Sequence, residues 1–208
     1  MRSRKRSRLH EHGSRWFKRI ALSFDDGPSD QTSAVLDALA AEGAPATFFV
    51  RGDEIAGREP ILQRILSDGH ELGNHSFSHP DLSAGGPTAE RELSDASREI
   101  ERATGRPPKL FRPPFGHVGP DLVEVAVGFG LWTVTWDNNS HDWAGADAAT
   151  IEDNVVGWVR RGSIVLAHDG GGDRTPTVRA LPGIVRSLRA RGFRFVTVGE
   201  LLKAERGL

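Results

Sequence analysis

Apolar runs rich in β-branched and aromatic residues alternate with helix-period segments about seven times along this 208-residue chain. The runs fall near 20–24, 46–50, 70–73, 110–112, 131–136, 163–167 and 193–197. Between them lie segments with apolar residues at helical spacing, such as Val35, Leu36 and Leu39, or Leu93 and Ile100. Gly43, Gly69, Gly105 and Gly162 stand where helices would stop. Strict strand–helix alternation cannot build an antiparallel sandwich or a helical bundle. It predicts parallel strands covered by outer helices. At this length the expectation is an α/β fold, a distorted (β/α) barrel of about seven units, with a doubly wound open sheet as the alternative. A helix is expected over 175–191 with an irregularity at Pro182-Gly183.

The chain contains no cysteine, which removes disulfides, thiolate ligands and a cysteine nucleophile. No apolar run approaches the roughly 18 residues of a membrane span, so no transmembrane segment is expected. Charge is distributed unevenly. Residues 1–19 carry eight basic side chains and one acid, whereas the remainder is acidic, with a net charge of −1 overall. The expected organisation is a disordered basic arm over residues 1–19 and one folded domain over 20–208. The arm could meet anionic polymer, membrane or nucleic acid. No apolar stretch follows it before the strand at Ile20, so no signal peptide is visible.

Polar residues with chemical potential recur just past the expected strands. Asp25-Asp26 follows the first, and Gly27-Pro28 then turns the chain so that both carboxylates can face one cleft. Two such charges side by side call for a cation or a shared proton. His75 and His79 are four apart, so on a helical turn they would share a face and reach one metal. With an upstream aspartate they form a candidate His-His-Asp site, suited to metal-activated water or, equally on ligands alone, to non-haem iron. Arg112 sits in a rigid Pro-Pro loop and can hold a carboxylate in a planar fork. Asp142-Trp143 and Leu166-Ala167-His168-Asp169 complete the series. In parallel barrels the C-terminal strand ends hold the site.

Taken together, Ser23-Phe24-Asp25-Asp26-Gly27-Pro28, His75-Ser76-Phe77-Ser78-His79, Arg112-Pro113-Pro114-Phe115-Gly116, Asp142-Trp143 and Leu166-Ala167-His168 resemble the five ordered motifs of the polysaccharide deacetylases. These are the carbohydrate esterase family 4, or NodB-homology, proteins. The resemblance covers roughly residues 19–202. It implies a metal-dependent hydrolase that removes acetyl groups from sugars by attack of a metal-bound water. Asp26, His75 and His79 would bind the divalent metal, usually zinc and sometimes cobalt or another transition metal. Asp25 would be the general base and Arg112 would orient it. The backbone N–H of Phe115 would stabilise the oxyanion. His168 would be the general acid, with Asp142 holding its ring, and Trp143 and Leu166 would wall a pocket for the acetyl methyl.

Some positions depart from the family pattern. Ser23 stands for the commoner Thr, Phe115 for a frequent Tyr, and Asn139 for a frequent Asp. The expected substrate is an N-acetylglucosamine polymer, chitin oligosaccharide or peptidoglycan. Acetylated xylan, a small amide, and an inactive carbohydrate-binding relative are the alternatives. No nucleic-acid partner is expected, and the chain is taken as a monomer. Localisation stays open: the family usually works outside the cytoplasm, whereas no export signal is visible.

Overall fold

The protein is described here by a computed structural model covering residues 9–203. Its elements run in chain order as β1 (Leu9–His10), β2 (Arg19–Asp25), α1 (Thr32–Glu42), β3 (Ala46–Val50), α2 (Glu59–Ser67), β4 (Glu71–Asn74), α3 (Gly86–Thr104) and β5 (Leu110–Phe111). There follow α4 (Pro120–Gly128), β6 (Trp132–Val134), β7 (Asn138–Asn139), α5 (Ala148–Trp158), β8 (Ile164–His168), α6 (Thr175–Ala190), β9 (Arg194–Phe195) and α7 (Val198–Lys203). The strands lie in the order β1-β6-β5-β4-β3-β2-β8-β7, with β9 paired to the start of β2, and every ladder is parallel. The chain from Trp132 to Asn139 pairs with β5 at its start and with β8 at its end. That run curls the sheet round into the expected distorted barrel.

Strand parity explains which residues face inwards. On β2, Ile20, Leu22 and Phe24 join the layer between sheet and helices, where Phe24 and Phe48 stack at 5.1 Å. Ala21 faces the other way, into a second cluster with Phe49, Leu110, Val134 and Ile164. Successive side chains alternate faces, so Ser23 and Asp25 share the interior with Ala21. Leu166 and His168 share it with Ile164. The same alternation that packs the core therefore delivers Asp25 and His168 to the mouth of the barrel. Ser23 satisfies its hydroxyl inside by donating to the Val165 carbonyl at 2.6 Å, so the smaller residue keeps the bond that a threonine would make. α7 packs Val198, Leu201 and Leu202 into the interior cluster. The Gly199 and Val198 N–H groups are received by Glu71 and Thr47 near the starts of β4 and β3.

Two expectations are corrected here. Of the arm expected to be disordered over residues 1–19, residues 1–8 lie outside the described residues, but 9–19 are built into the domain. β1 pairs with β6, the Gly13 N–H donates to the Gly162 carbonyl at 2.7 Å, and Arg15 bonds Asp137 at 2.7 Å. Basic composition hid backbone pairing, which carries no compositional signature. The irregularity expected at Pro182-Gly183 does not break α6, which runs unbroken through both residues. Ala180, Leu181, Ile184, Val185 and Leu188 are buried along one face, and that burial outweighs the single N–H that proline lacks. Gly183 serves close packing: a Cβ there would sit on the Glu152 carboxylate of α5.

Candidate active site

Five strand ends converge at the mouth of the barrel. β2 ends at Asp25, and Asp26 leaves the strand with φ of 73°, the left-handed region, before a cis Gly27–Pro28 bond. The left-handed backbone at Asp26 itself lets its carboxylate join its neighbour over the barrel mouth. Arg112, just past β5, is wholly buried and donates to Asp25 Oδ1 at 2.7 Å and to the Thr135 carbonyl at 3.2 Å. Its guanidinium lies 4.1 Å from the centre of the Phe49 ring. Burial pushes the Asp25 carboxyl above its ordinary range, and the charge of Arg112 opposes that push.

The two histidines do not lie on a helical turn. They occupy a loop after β4 in which Ser76 and His79 both have positive φ. Side chains hold that loop. Asn74 Oδ1 accepts from the Ser76 N–H, Ser76 Oγ accepts from the His79 N–H, and Glu92 of α3 accepts from the Phe77 and Ser78 N–H groups. A four-residue histidine spacing is therefore realised by a pinned loop rather than by helical periodicity.

Asp26, His75 and His79 each offer one ligand atom, all within 4.8 Å of one another. Asp26 Oδ1 stands 3.4 Å from His79 Nε2 and 3.7 Å from His75 Nε2. His75 Nδ1 lies 2.8 Å from the Arg112 carbonyl and donates to it, which leaves Nε2 with its lone pair turned towards Asp26. Burial lowers the His75 pKa to about 3, so the ring is neutral and able to ligate. Asp26 Oδ1 is buried with no hydrogen-bond partner among the described residues. An orphaned carboxylate oxygen beside two imidazole nitrogens is the donor set a divalent cation completes, so these residues fit a metal.

On the opposite side, His168 Nδ1 lies 2.7 Å from Asp142 Oδ1. Asp142 Oδ2 accepts from the His168 N–H at 2.8 Å and from Thr177 Oγ1 at 2.9 Å. Burial alone would lower the His168 pKa, but the hydrogen bond and charge of Asp142 outweigh it and raise the imidazole above its ordinary value. Asp25 and His168 are register partners on adjacent strands. Between them opens a cleft of about 420 Å³ whose walls include Asp25, Asp26, His75, His79, Phe115, Trp143, Leu166 and His168. Arg112 and Asp142 stand behind these, as residues that hold others. Phe115 has φ of 59° and its ring lies 4.6 Å from that of His79.

The structure adds residues that sequence motifs do not reveal. Arg174 is buried and donates to the Gly170, Gly171 and Asp142 carbonyls, which fixes the floor of the cleft. Trp136 and Asn139 also line it. Asp169 is buried beneath Gly27, and burial raises its carboxyl to about 7. Only the His168-Asp169 dipeptide hinted at it. Nothing in the sequence marks Arg174 or Thr177.

Comparison with known proteins agrees with this geometry. Residues 13–134 match the family model described as polysaccharide deacetylase. Over 190 residues the chain is 39% identical to a peptidoglycan-N-acetylglucosamine deacetylase of Bacillus cereus, covering 89% of each. It is 37% identical to a chitooligosaccharide deacetylase of Sinorhizobium fredii, covering 84% of this chain and 87% of that one. Its fold superimposes on the crystal structure of the Bc1960 peptidoglycan N-acetylglucosamine deacetylase with a TM-score of 0.90 and 32% identity, covering 95% of this chain and 94% of that one. The order of the strand-end motifs, the barrel that carries them and these likenesses place this chain in the polysaccharide deacetylase family, as a carbohydrate esterase of the NodB-homology type.

Proposed function

We propose that the protein removes N-acetyl groups from N-acetylglucosamine residues of peptidoglycan or of chitin oligosaccharides, using a divalent metal. One observation carries this reading. The Asp26, His75 and His79 triad is flanked by a buried carboxylate–arginine pair and by a buried carboxylate–histidine pair. An amide is a poor electrophile, and its hydrolysis needs an activated water, a base, an oxyanion donor and an acid for the amine.

A cation held by Asp26, His75 and His79 would supply Lewis-acid chemistry, acidifying water and polarising the acetyl carbonyl. Zinc is the proposed ion, with cobalt or another transition metal as the alternative, since two imidazoles and a carboxylate suit either. Asp25 takes the proton of the attacking water on Oδ2, because Arg112 occupies Oδ1. The Phe115 backbone N–H donates to the developing oxyanion. His168 gives a proton from Nε2 to the leaving amine, since Nδ1 is engaged by Asp142. Trp143 and Leu166 enclose the acetyl methyl and keep bulkier acyl groups out.

The test is acetate release from peptidoglycan, chitin oligosaccharides and acetylated xylan, with zinc or cobalt added and again after chelation. Release from peptidoglycan or chitin oligosaccharide that ceases on chelation is expected. Release from xylan alone would replace the amide substrate by an ester. No release from any of them, in protein shown to contain metal, would overturn the reading.

A further inference from the structure

We propose that the end of the barrel opposite the cleft is a docking surface for an anionic lipid bilayer. β2, β8 and β9 are parallel and begin together at this end, whereas the cleft opens at their C-terminal ends. Three segments meet there: 14–19 before and into β2, 158–163 before β8, and 191–194 before and into β9. They are tied by the Arg15 bond to the Arg161 carbonyl, the Lys18 bond to the Arg191 carbonyl, and the Arg194 N–H bond to the Lys18 carbonyl. Together these segments hold seven cationic side chains (Arg15, Lys18, Arg19, Arg160, Arg161, Arg191 and Arg194) and no acid. Among the described residues these seven side chains pair with one acid, Asp137, through Arg15. The rest of the chain is acidic on balance, so this concentration stands out.

Exposed aromatic rings lie on the same segments. Trp16 is 86% exposed, Trp158 74% and Phe17 50%. Packing does not account for side chains of this size left in water. A water-soluble polyphosphate would satisfy the cations but offers the indoles no apolar phase. The interface of an anionic bilayer takes both, cations at the headgroups and aromatic rings at the acyl boundary. The sequence before Leu9 adds Arg2, Arg4, Lys5, Arg6 and Arg8. Docked this way, the protein holds its cleft away from the lipid. That outward placement matters only if the proposed polysaccharide substrate is correct; lipid binding itself does not depend on it.

The experiment is co-sedimentation of the full chain with phosphatidylglycerol-containing vesicles and with neutral phosphatidylcholine vesicles. Binding to the anionic vesicles alone is expected, weakening as salt screens it. Charge reversal in the double variant Arg160→Glu/Arg161→Glu is expected to weaken binding by at least about tenfold. The double variant Trp16→Ala/Trp158→Ala is expected to weaken it too and to abolish the blue shift of tryptophan emission on vesicle addition. Neither variant touches the cleft, so both are expected to hydrolyse soluble acetylated oligosaccharide like the parent. Absence of binding to anionic vesicles would overturn the proposal. So would binding that the tryptophan variant leaves unchanged and that soluble polyphosphate matches, which would make this a polymer-binding face. Inhibition of hydrolysis of the soluble substrate by bound vesicles would overturn the placement of the docking face away from the cleft.

Discussion

Arg112 reaches Asp25 Oδ1 at 2.7 Å from inside the barrel, and neither side chain meets appreciable solvent. The pair holds one carboxylate oxygen fixed while the other, Oδ2, stands 3.7 Å from His75 Nε2. This asymmetry separates two adjacent aspartates into different tasks: Asp25 is tied to an arginine, and Asp26 is left for a cation.

Asp25→Asn is therefore expected to abolish turnover while leaving bound metal at the parent level. Asp26→Ala and His79→Ala are expected to lose the metal. Elemental analysis of the purified variants beside acetate-release rates separates the two outcomes. Loss of metal in Asp25→Asn would reassign Asp25 as a ligand.

Arg112→Lys keeps a positive charge but cannot reproduce the fork to Asp25 and Thr135 or the stacking on Phe49. A fall in kcat of at least tenfold is expected, with KM little changed, because the arginine touches the base and not the sugar. Arg112→Ala should cost about 3–5 kcal/mol of stability by leaving a buried carboxylate unpaired, measurable by denaturant unfolding.

Asp142 sets the protonation of His168. Asp142→Asn removes the charge that raises the imidazole pKa, so the alkaline limb of the kcat–pH profile is expected to move to lower pH. The same link touches stability. A histidine whose folded pKa is raised contributes stability below its unfolded value of about 6.5 and loses it as pH rises through the folded value. Asp142→Asn should flatten that dependence.

Asp169 shifts in the same direction as His168 but from a different cause, burial. Its carboxyl is raised from 3.8 to about 7 by burial, so the folded state favours the protonated form. In metal-free protein the stability is full below about pH 4 and falls as pH rises towards the folded value. Asp169→Asn should remove this fall. Urea midpoints across the range provide the measurement.

Gly27 lies against the same residue. A Cβ there would fall 2.1 Å from Asp169 Oδ2, which also accepts from Thr32 Oγ1 at 2.6 Å. Gly27→Ala is expected to destabilise the protein by about 1–3 kcal/mol through overpacking. Asp169→Ala in the same chain should recover part of that loss, which a double-mutant cycle would quantify.

The barrel and its mouth were readable in the sequence because strand parity and strand ends are local properties. Ile20 to Phe24 reads as a buried strand, and two carboxylates at its end stand out against any packing role. Positions that depend on remote closure were not readable. Arg174 acts on backbone carbonyls at Gly170, Gly171 and Asp142, and a carbonyl leaves no trace in side-chain pattern. The local structure of the histidine pair is not legible, because spacing alone cannot separate a helical turn from a loop held by Asn74 and Glu92. Likewise, the run expected as one strand over 131–136 changes partners after Val134, going on to β7 beside β8. The Thr135-Trp136 that follows continues the strand-like pattern and gives no sign of the change.

The pairing of β2 with β8 has a temporal consequence. Asp25 and His168 face each other in register, yet the chain between them is most of the protein. Asp25, Asp26, His75, His79 and Arg112 all leave the ribosome before His168 does. A chain still being made therefore holds the proposed base and cation ligands without the proposed acid. The proposed hydrolysis must wait for the long-range pairing of β8 with β2, which brings the two side chains to one cleft.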